Sequence, residues 1–288
     1  MSQQLKQDKI AATEKTMIDK RSKKKVNKDA YIRIFTLIGF FIVWQLICMY
    51  NERIAGGVFI NPNFLPSPST ILRKAGTLIQ NGSLFKHIMA SLQRMVWGFG
   101  WGLLVAVLLG ILVTSSKLAD NIVSPILGLI QPIPAFAFLP LFIIWFGVGE
   151  TSKIIMIAYM SFGSIYPYFV DGIRNTNPLL IRSALSLGAS KSQVFLKVVL
   201  KSSLPNLFLG MRMGIGSTFS ALLVAELMGA NEGLGYMINY ARNYFMIDQM
   251  FVGAITIGLE FTLFSSLMDF IEKTLFRWKY SGADKAIE

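Results

Sequence analysis

Apolar runs approaching 20 residues recur along this chain, and no other feature restricts its fold so severely. A hydrocarbon core about 30 Å thick takes about 20 apolar residues per crossing helix. The first run is Ile34 to Tyr50, and five more fall near residues 95–114, 126–147, 154–172, 204–228 and 250–270. Only 15% of residues are charged, against roughly 25% in soluble domains. The expected fold class is therefore an all-α membrane protein of about six transmembrane helices, embedded in a lipid bilayer.

Charge orients those helices. A net charge of +12 would suggest nucleic acid if it formed a stripe on a soluble face, but the basic residues lie outside the apolar runs, so no nucleic-acid partner is expected. Six spans put both termini on one side. The Lys-rich residues 1–30, Lys117, the 174–205 segment with Arg174, Arg182, Lys191, Lys197 and Lys201, and the end with Lys273, Arg277 and Lys279 then share one face. The positive-inside rule makes that face cytoplasmic. The organisation expected is a disordered cytoplasmic tail (1–30), a first transmembrane helix (31–50), an external loop with an interfacial helix after Ser69 (51–87), a transmembrane core (88–275) and a cytoplasmic C-terminal tail (276–288). The first run is longer than a typical signal-peptide apolar region and has no following small-residue cleavage site, so it is expected to stay attached.

Catalytic and metal chemistry find no foothold. Cys48 is the sole cysteine and His87 the sole histidine, so neither a disulfide framework nor a His/Cys metal site can be assembled. Cys48 reads as a small core residue and His87 as a polar residue at a helix end. No Ser/His/Asp or paired-carboxylate arrangement emerges, and no G-x4-G-K-[ST] phosphate cradle is present.

Three local patterns point to a pathway through the bilayer. Pro125, Pro132, Pro134 and Pro140 interrupt the third run, and each removes a backbone donor. Such breaks survive in a bilayer only where protein or water covers the freed carbonyls, so this segment is expected to face the protein interior, the alternative being a merely kinked helix at the edge of the bundle. Gly98/Gly102 and Gly210/Gly214 have the small-xxx-small spacing that allows close helix contact. Arg212, Glu226 and Glu260 are ionisable residues within spans, which are costly in lipid and usually face a partner or a cavity. Arg212 serves either as an anchor or as an anion attractor, Glu226 is expected to tie the fifth span to the external loop, and Glu260 either pairs with a base or tunes substrate choice. Pro132, Pro134, Phe136, Pro140, Arg212, Ser217, Glu226, Asn231 and Glu260 are thus the pathway or gate candidates.

The segment 174–205 is too regular for a passive linker. Asn177 can cap a helix with Pro178 at its first position, Gly188 can end it, and Ser190 with Gln193 forms a capping box for a second short helix. Leu204-Pro205 is expected to open the next span. A helix, a glycine turn and a helix together make a knob suited to a groove on a partner.

These residues resemble the cytoplasmic loop of ABC-importer permeases of the type I fold, whose pattern is EAA-x3-G followed by a hydrophobic residue and LP. Here it stands as Arg182-Ser183-Ala184-Leu185-Ser186-Leu187-Gly188-Ala189-Ser190, then Val198-Val199-Leu200-Lys201. Arg182 departs from the acid, Ser183 from the first Ala and Lys201 from the proline. Gln131-Pro132-Ile133-Pro134 with Leu139-Pro140-Leu141 and Trp145-Phe146-Gly147, and Glu226-Leu227-Met228-Gly229-Ala230-Asn231-Glu232-Gly233-Leu234-Gly235-Tyr236, are similar to the nitrate/sulfonate/taurine branch. The resemblance covers roughly Leu65 to Trp278. It implies a bacterial inner-membrane permease working as a homodimer, two cytoplasmic ATPase subunits carrying ATP and Mg, and an external substrate-binding protein. Arg182, Ser183, Ala184, Leu187, Gly188, Ala189 and Ser190 would contact the ATPase. The implied substrate is a sulfonate, taurine or nitrate. A thiamine-precursor-like heterocycle is the alternative, and a channel or anchored structural protein is the reading outside the family.

Overall fold

The computed structural model describes Ile32, residues 35–51 and residues 64–276. The basic N-terminal tail, the middle of the first external loop and the C-terminal tail lie outside the described residues. The chain divides into two compact units, Met1–Arg73 and Lys74–Glu288.

In the first unit, α1 (Phe35–Asn51) is apolar nearly all round, and Phe35, Phe40 and Leu46 are exposed. An exposed apolar surface of this extent belongs in lipid. Cys48 is buried, as expected, with its Sγ 3.6 Å from the Leu65 carbonyl oxygen. The Gln45 amide clasps Ser69, donating to its hydroxyl at 3.2 Å and accepting from its backbone N–H at 3.2 Å. Helix α2 (Pro68–Gln80) starts with proline at its first position, where a missing N–H costs nothing.

The second unit is a helical bundle. Its elements are α3 (Ser83–Ser115), α4 (Lys117–Ile130), α5 (Ala135–Phe146), α6 (Glu150–Arg174), α7 (Pro178–Ser186), α8 (Lys191–Val194), α9 (Leu200–Gly229), α10 (Leu234–Asn243) and α11 (Ile247–Leu275). Among the described residues, four stretches are long and apolar enough to cross a membrane, and α1 and α5 are shorter apolar helices. The six apolar runs thus reappear as helices, with two adjustments. Helix α3 starts at Ser83, well before the first residue of its apolar window. The third run is two helices of 14 and 12 residues, separated by a turn at 131–134.

Helix α6 is the centre of the bundle, packed against α3 on one side and α9 on another. Small residues explain how. Gly98, Gly102, Ala106 and Gly110 form a buried ladder on α3 at four-residue spacing. A methyl group placed on Gly98 would collide with the Ile157 side chain, and one on Gly102 with the Ser161 hydroxyl and the Ala158 carbonyl. Gly210 and Gly214 of α9 meet Ile165 of α6 in the same manner. Ile157, Ile165 and Phe169 are each at most 2% exposed. Close approach of this kind maximises van der Waals contact, the main attraction between helices that are already out of water.

Within the subunit the proline-broken segment follows the alternative reading, at the edge of the bundle. Helix α4 has no buried residue, and α5 buries Leu139 and Phe142 while Phe136, Ile144 and Trp145 stay exposed. Within the subunit this segment therefore lies at the surface of the bundle, not in its interior. Two short helices joined by a turn present one narrow face each, and that face is all they pack. The freed carbonyls are nonetheless covered, because the Tyr159 hydroxyl of α6 donates to Ile130 O at 2.9 Å and lies 3.4 Å from Ile133 O.

Candidate functional site

The 174–205 segment folds locally as its sequence dictates. The Asn177 side chain accepts from the Leu179 N–H at 2.9 Å, and Pro178 begins α7. Gly188 adopts φ 84°, a left-handed conformation that favours glycine. The chain then folds back so that the Ala189 N–H reaches the Ala184 carbonyl at 3.1 Å. Ser190 and Gln193 form the reciprocal capping box, with Gln193 N–H to Ser190 Oγ at 3.3 Å and Ser190 N–H to Gln193 Oε1 at 2.9 Å. The second helix is not separate, however. It runs from α8 through one wide π turn at Phe195–Val199 straight into α9, and Pro205 lies inside that helix instead of opening it. The backbone stays helical through the wide turn, and Pro205 removes one backbone donor from α9 without ending it.

Ala184 and Ala189 face inward against the core that includes Val194, Val199 and Ile173. Arg182, Ser183, Gly188 and Ser190 are exposed. Leu187 is 88% exposed at the tip. The result is an anchored knob with a basic flank and an apolar point.

Two clefts line the outer face of α6. The first, about 360 Å³, is bounded by Pro132, Pro134 and Phe136 from the break, by Tyr159 and Ser164 from α6 and by Ser220 from α9. Ser217 sits one turn from Ser220 and shares a hydrogen bond with the Ser164 hydroxyl. Pro140 lies within α5 and is not among the lining residues. The second cleft, about 290 Å³, continues past Gln131 to Tyr166, Asp171 and Arg174. Arg174 is paired there with Asp120 at 2.9 Å.

At the opposite end lies a buried ionic cluster that the apolar windows foreshadow only in part. Glu226 is 1% exposed. It accepts from the Ser91 hydroxyl at 2.8 Å, from Arg94 Nη1 at 2.7 Å and from the Gly235 N–H at 2.8 Å. Arg94 also donates to the Glu232 carbonyl at 2.7 Å, and forks onto Glu150 at 2.6 and 2.9 Å. Glu226 thus ties the fifth span to the 230–235 loop, as expected, and to α3 as well. Gly233 has φ 124°, and a methyl group there would overlap the Glu226 carboxylate. Glycine is required at this position both for its conformation and for the close approach. His87 lies in the first turns of α3, where Nδ1 accepts from the Gly233 N–H at 3.1 Å. Asn231 borders a third cleft of about 390 Å³ with Arg94, Glu150 and Glu232. Lys86, 2.6 Å from Glu232, holds that carboxyl below the usual range.

Arg94 escaped the sequence reading because it stands one residue before the α3 window. A signal did exist, since an acid deep in an apolar run is commonly paired with a cation at matching depth on another span. Arg212 likewise has acidic partners, Asp269 at 2.8 Å and Glu272 at 3.9 Å, so it links α9 to α11. Glu260 meets no base, and one of its carboxylate oxygens is buried without a partner.

A multi-span helical bundle with clefts along its central helix, a rigid loop at one end and an ionic clasp at the other defines a transport-pathway subunit, and the comparisons agree. Residues 98–278 match the family described as binding-protein-dependent transport system inner membrane component. The chain is 35% identical over 240 residues to a putative aliphatic sulfonates transport permease protein of Bacillus subtilis, covering 83% of this chain and 84% of that one. It is 32% identical over 258 residues to the taurine transport system permease protein of Escherichia coli, covering 88% and 91%. A formylaminopyrimidine transport permease protein of Halalkalibacterium halodurans is 28% identical over 240 residues, covering 83% and 94%. The crystal structure of an amino acid ABC transporter with histidines superimposes with TM-score 0.60 at 17% identity, covering 69% of this chain and 97% of that one, which supports the fold alone. This chain belongs to the binding-protein-dependent ABC transporter permeases, in their sulfonate/taurine branch. It is a multi-pass membrane protein of the type I importer fold.

Proposed function

We propose that this chain is the membrane-spanning subunit of an ATP-driven importer, that two copies form the pathway, and that each 174–205 loop docks on a cytoplasmic ATPase subunit. ATP and Mg belong to that partner, and no catalysis to this chain. An external binding protein delivers the substrate on the opposite face, and both termini are cytoplasmic in a bacterial cell membrane. The observation that carries the docking reading is the anchored knob itself. An isolated apolar tip at Leu187, held by a glycine turn and a capping box, is costly in water and suits a partner's groove. The basic flank from Arg182 calls for an acidic rim on that groove. Replacing Gly188 by Ala strains the left-handed turn without a clash, since no heavy atom lies within 4 Å of the single added carbon. The expected result is loss of substrate-stimulated ATPase activity with normal membrane levels of the permease. Unchanged stimulation would overturn the docking assignment.

The substrate reading is a small anion, an aliphatic sulfonate or taurine, supported by the names of two relatives at 35% and 32% identity. A heterocyclic substrate is the second reading, favoured by the formylaminopyrimidine relative. Ligand-binding measurements on the cognate external protein separate the two.

A further inference from the structure

We propose that Gln131 is the selectivity residue of the pathway, offering a side-chain N–H donor to an oxygen of the passing anion. This rests on the anion-import reading above. Gln131 ends α4, its backbone N–H donating to Leu127 O at 2.8 Å. It is the residue shared by the two clefts on the outer face of α6, so anything moving from one to the other passes its side chain. The side-chain nitrogen is buried and has no hydrogen-bond partner. A buried amide donor is rarely left unmet, because leaving it so sacrifices the hydrogen bonds it made with water. Structural demand does not account for it, since the carbonyls freed by the Pro132–Pro134 break are already served by the Tyr159 hydroxyl.

The chemistry of the first cleft fits an oxoanion in transit. Its lining carries no charged side chain, only the hydroxyls of Tyr159, Ser164 and Ser220 and the Gln131 amide among apolar groups. A fixed cation there would hold the anion too tightly to release it, whereas a neutral donor binds well enough to admit it and weakly enough to let it leave. The hydroxyl of Ser164 is shared with Ser217, and those of Tyr159 and Ser220 are committed to the Ile130 and Gly216 carbonyls. Gln131 therefore holds the unspent donor.

The test is uptake of radiolabelled taurine and ethanesulfonate by proteoliposomes containing the reconstituted transporter, with Gln131→Met, which keeps length and removes the donor, and Gln131→Glu, which keeps shape and adds negative charge. Losing a hydrogen bond to a charged ligand is expected to slow uptake about ten- to a hundredfold in Gln131→Met. Gln131→Glu is expected to slow it further, while ATPase stimulation by the loaded binding protein stays within about twofold. Wild-type uptake by both variants would overturn the proposal. So would a parallel loss of uptake, ATPase stimulation and thermal stability, which would mark a packing role. A wild-type transporter that imports neither sulfonate would overturn the anion reading instead, a failure that the unmutated control distinguishes from the other two.

Discussion

Replacing Arg94 by Met isolates the energetics of the buried cluster. Besides its bond to the Glu232 carbonyl, the guanidinium meets two carboxylates in different surroundings. Its fork onto Glu150 involves a carboxylate whose side chain is 56% exposed, so solvent screens it and it is worth about 0–1 kcal/mol. Its contact with Glu226 is different, because the two side chains are 6% and 1% exposed. Met fills the volume but leaves the Glu226 carboxylate with the Ser91 hydroxyl and the Gly235 N–H alone. Breaking a buried pair from one side costs about 3–5 kcal/mol, chiefly because the surviving charge is left uncompensated. Glu226→Gln alone strands the guanidinium less severely, since Glu150 remains beside it. The double variant removes the orphaned charge, so the two substitutions are expected to be non-additive by about 2 kcal/mol. Unfolding of the purified protein in mixed micelles, followed by tryptophan fluorescence, measures all four members of the cycle. Arg94→Met within about 1 kcal/mol of wild type, or strictly additive single variants, would refute the reasoning.

Helix packing and the second ion pair give contrasting expectations. Gly102→Leu forces α3 away from the Ala158 carbonyl and Ser161 of α6, and overpacking of this kind is expected to cost about 3 kcal/mol. Gly100→Ala, whose single added carbon meets nothing within 4 Å, is expected to stay within about 1 kcal/mol by the same unfolding assay. Arg212→Met is expected to lower stability by no more than about 1 kcal/mol, because Arg212 is 47% exposed where it meets Asp269. A loss as large as that of Arg94→Met would contradict the distinction drawn between the two arginines.

Local signals were legible wherever they depend on neighbours in the chain. The cap at Asn177, the turn at Gly188 and the box at Ser190 use contacts two to five residues apart, and each has the expected geometry. The expectation for Leu204-Pro205 missed because the helical backbone that begins at Lys191 runs on through the wide turn and past the proline. The third apolar run shows the same limit. Its prolines announce a break, but whether the resulting pieces lie inside or outside the bundle depends on which faces α6 and α9 have free.

The sequence by itself determined the class of protein, because about 20 apolar residues per run leave a helix across a bilayer as the one structure that satisfies every backbone group. It also determined the shape of the 174–205 loop and the identity of the family, through motifs compact enough to read in order. The tertiary structure alone decided the rest. Ser91, Arg94, Glu150, Glu226 and Gly235 lie up to 144 residues apart in the chain (235 − 91), and their meeting depends on the small-residue ladder that brings α3 against α6. The spent and unspent donors around the Pro132–Pro134 break were likewise undecided until Tyr159 was placed. A hydrogen-bond inventory closes only when every partner has a position in space.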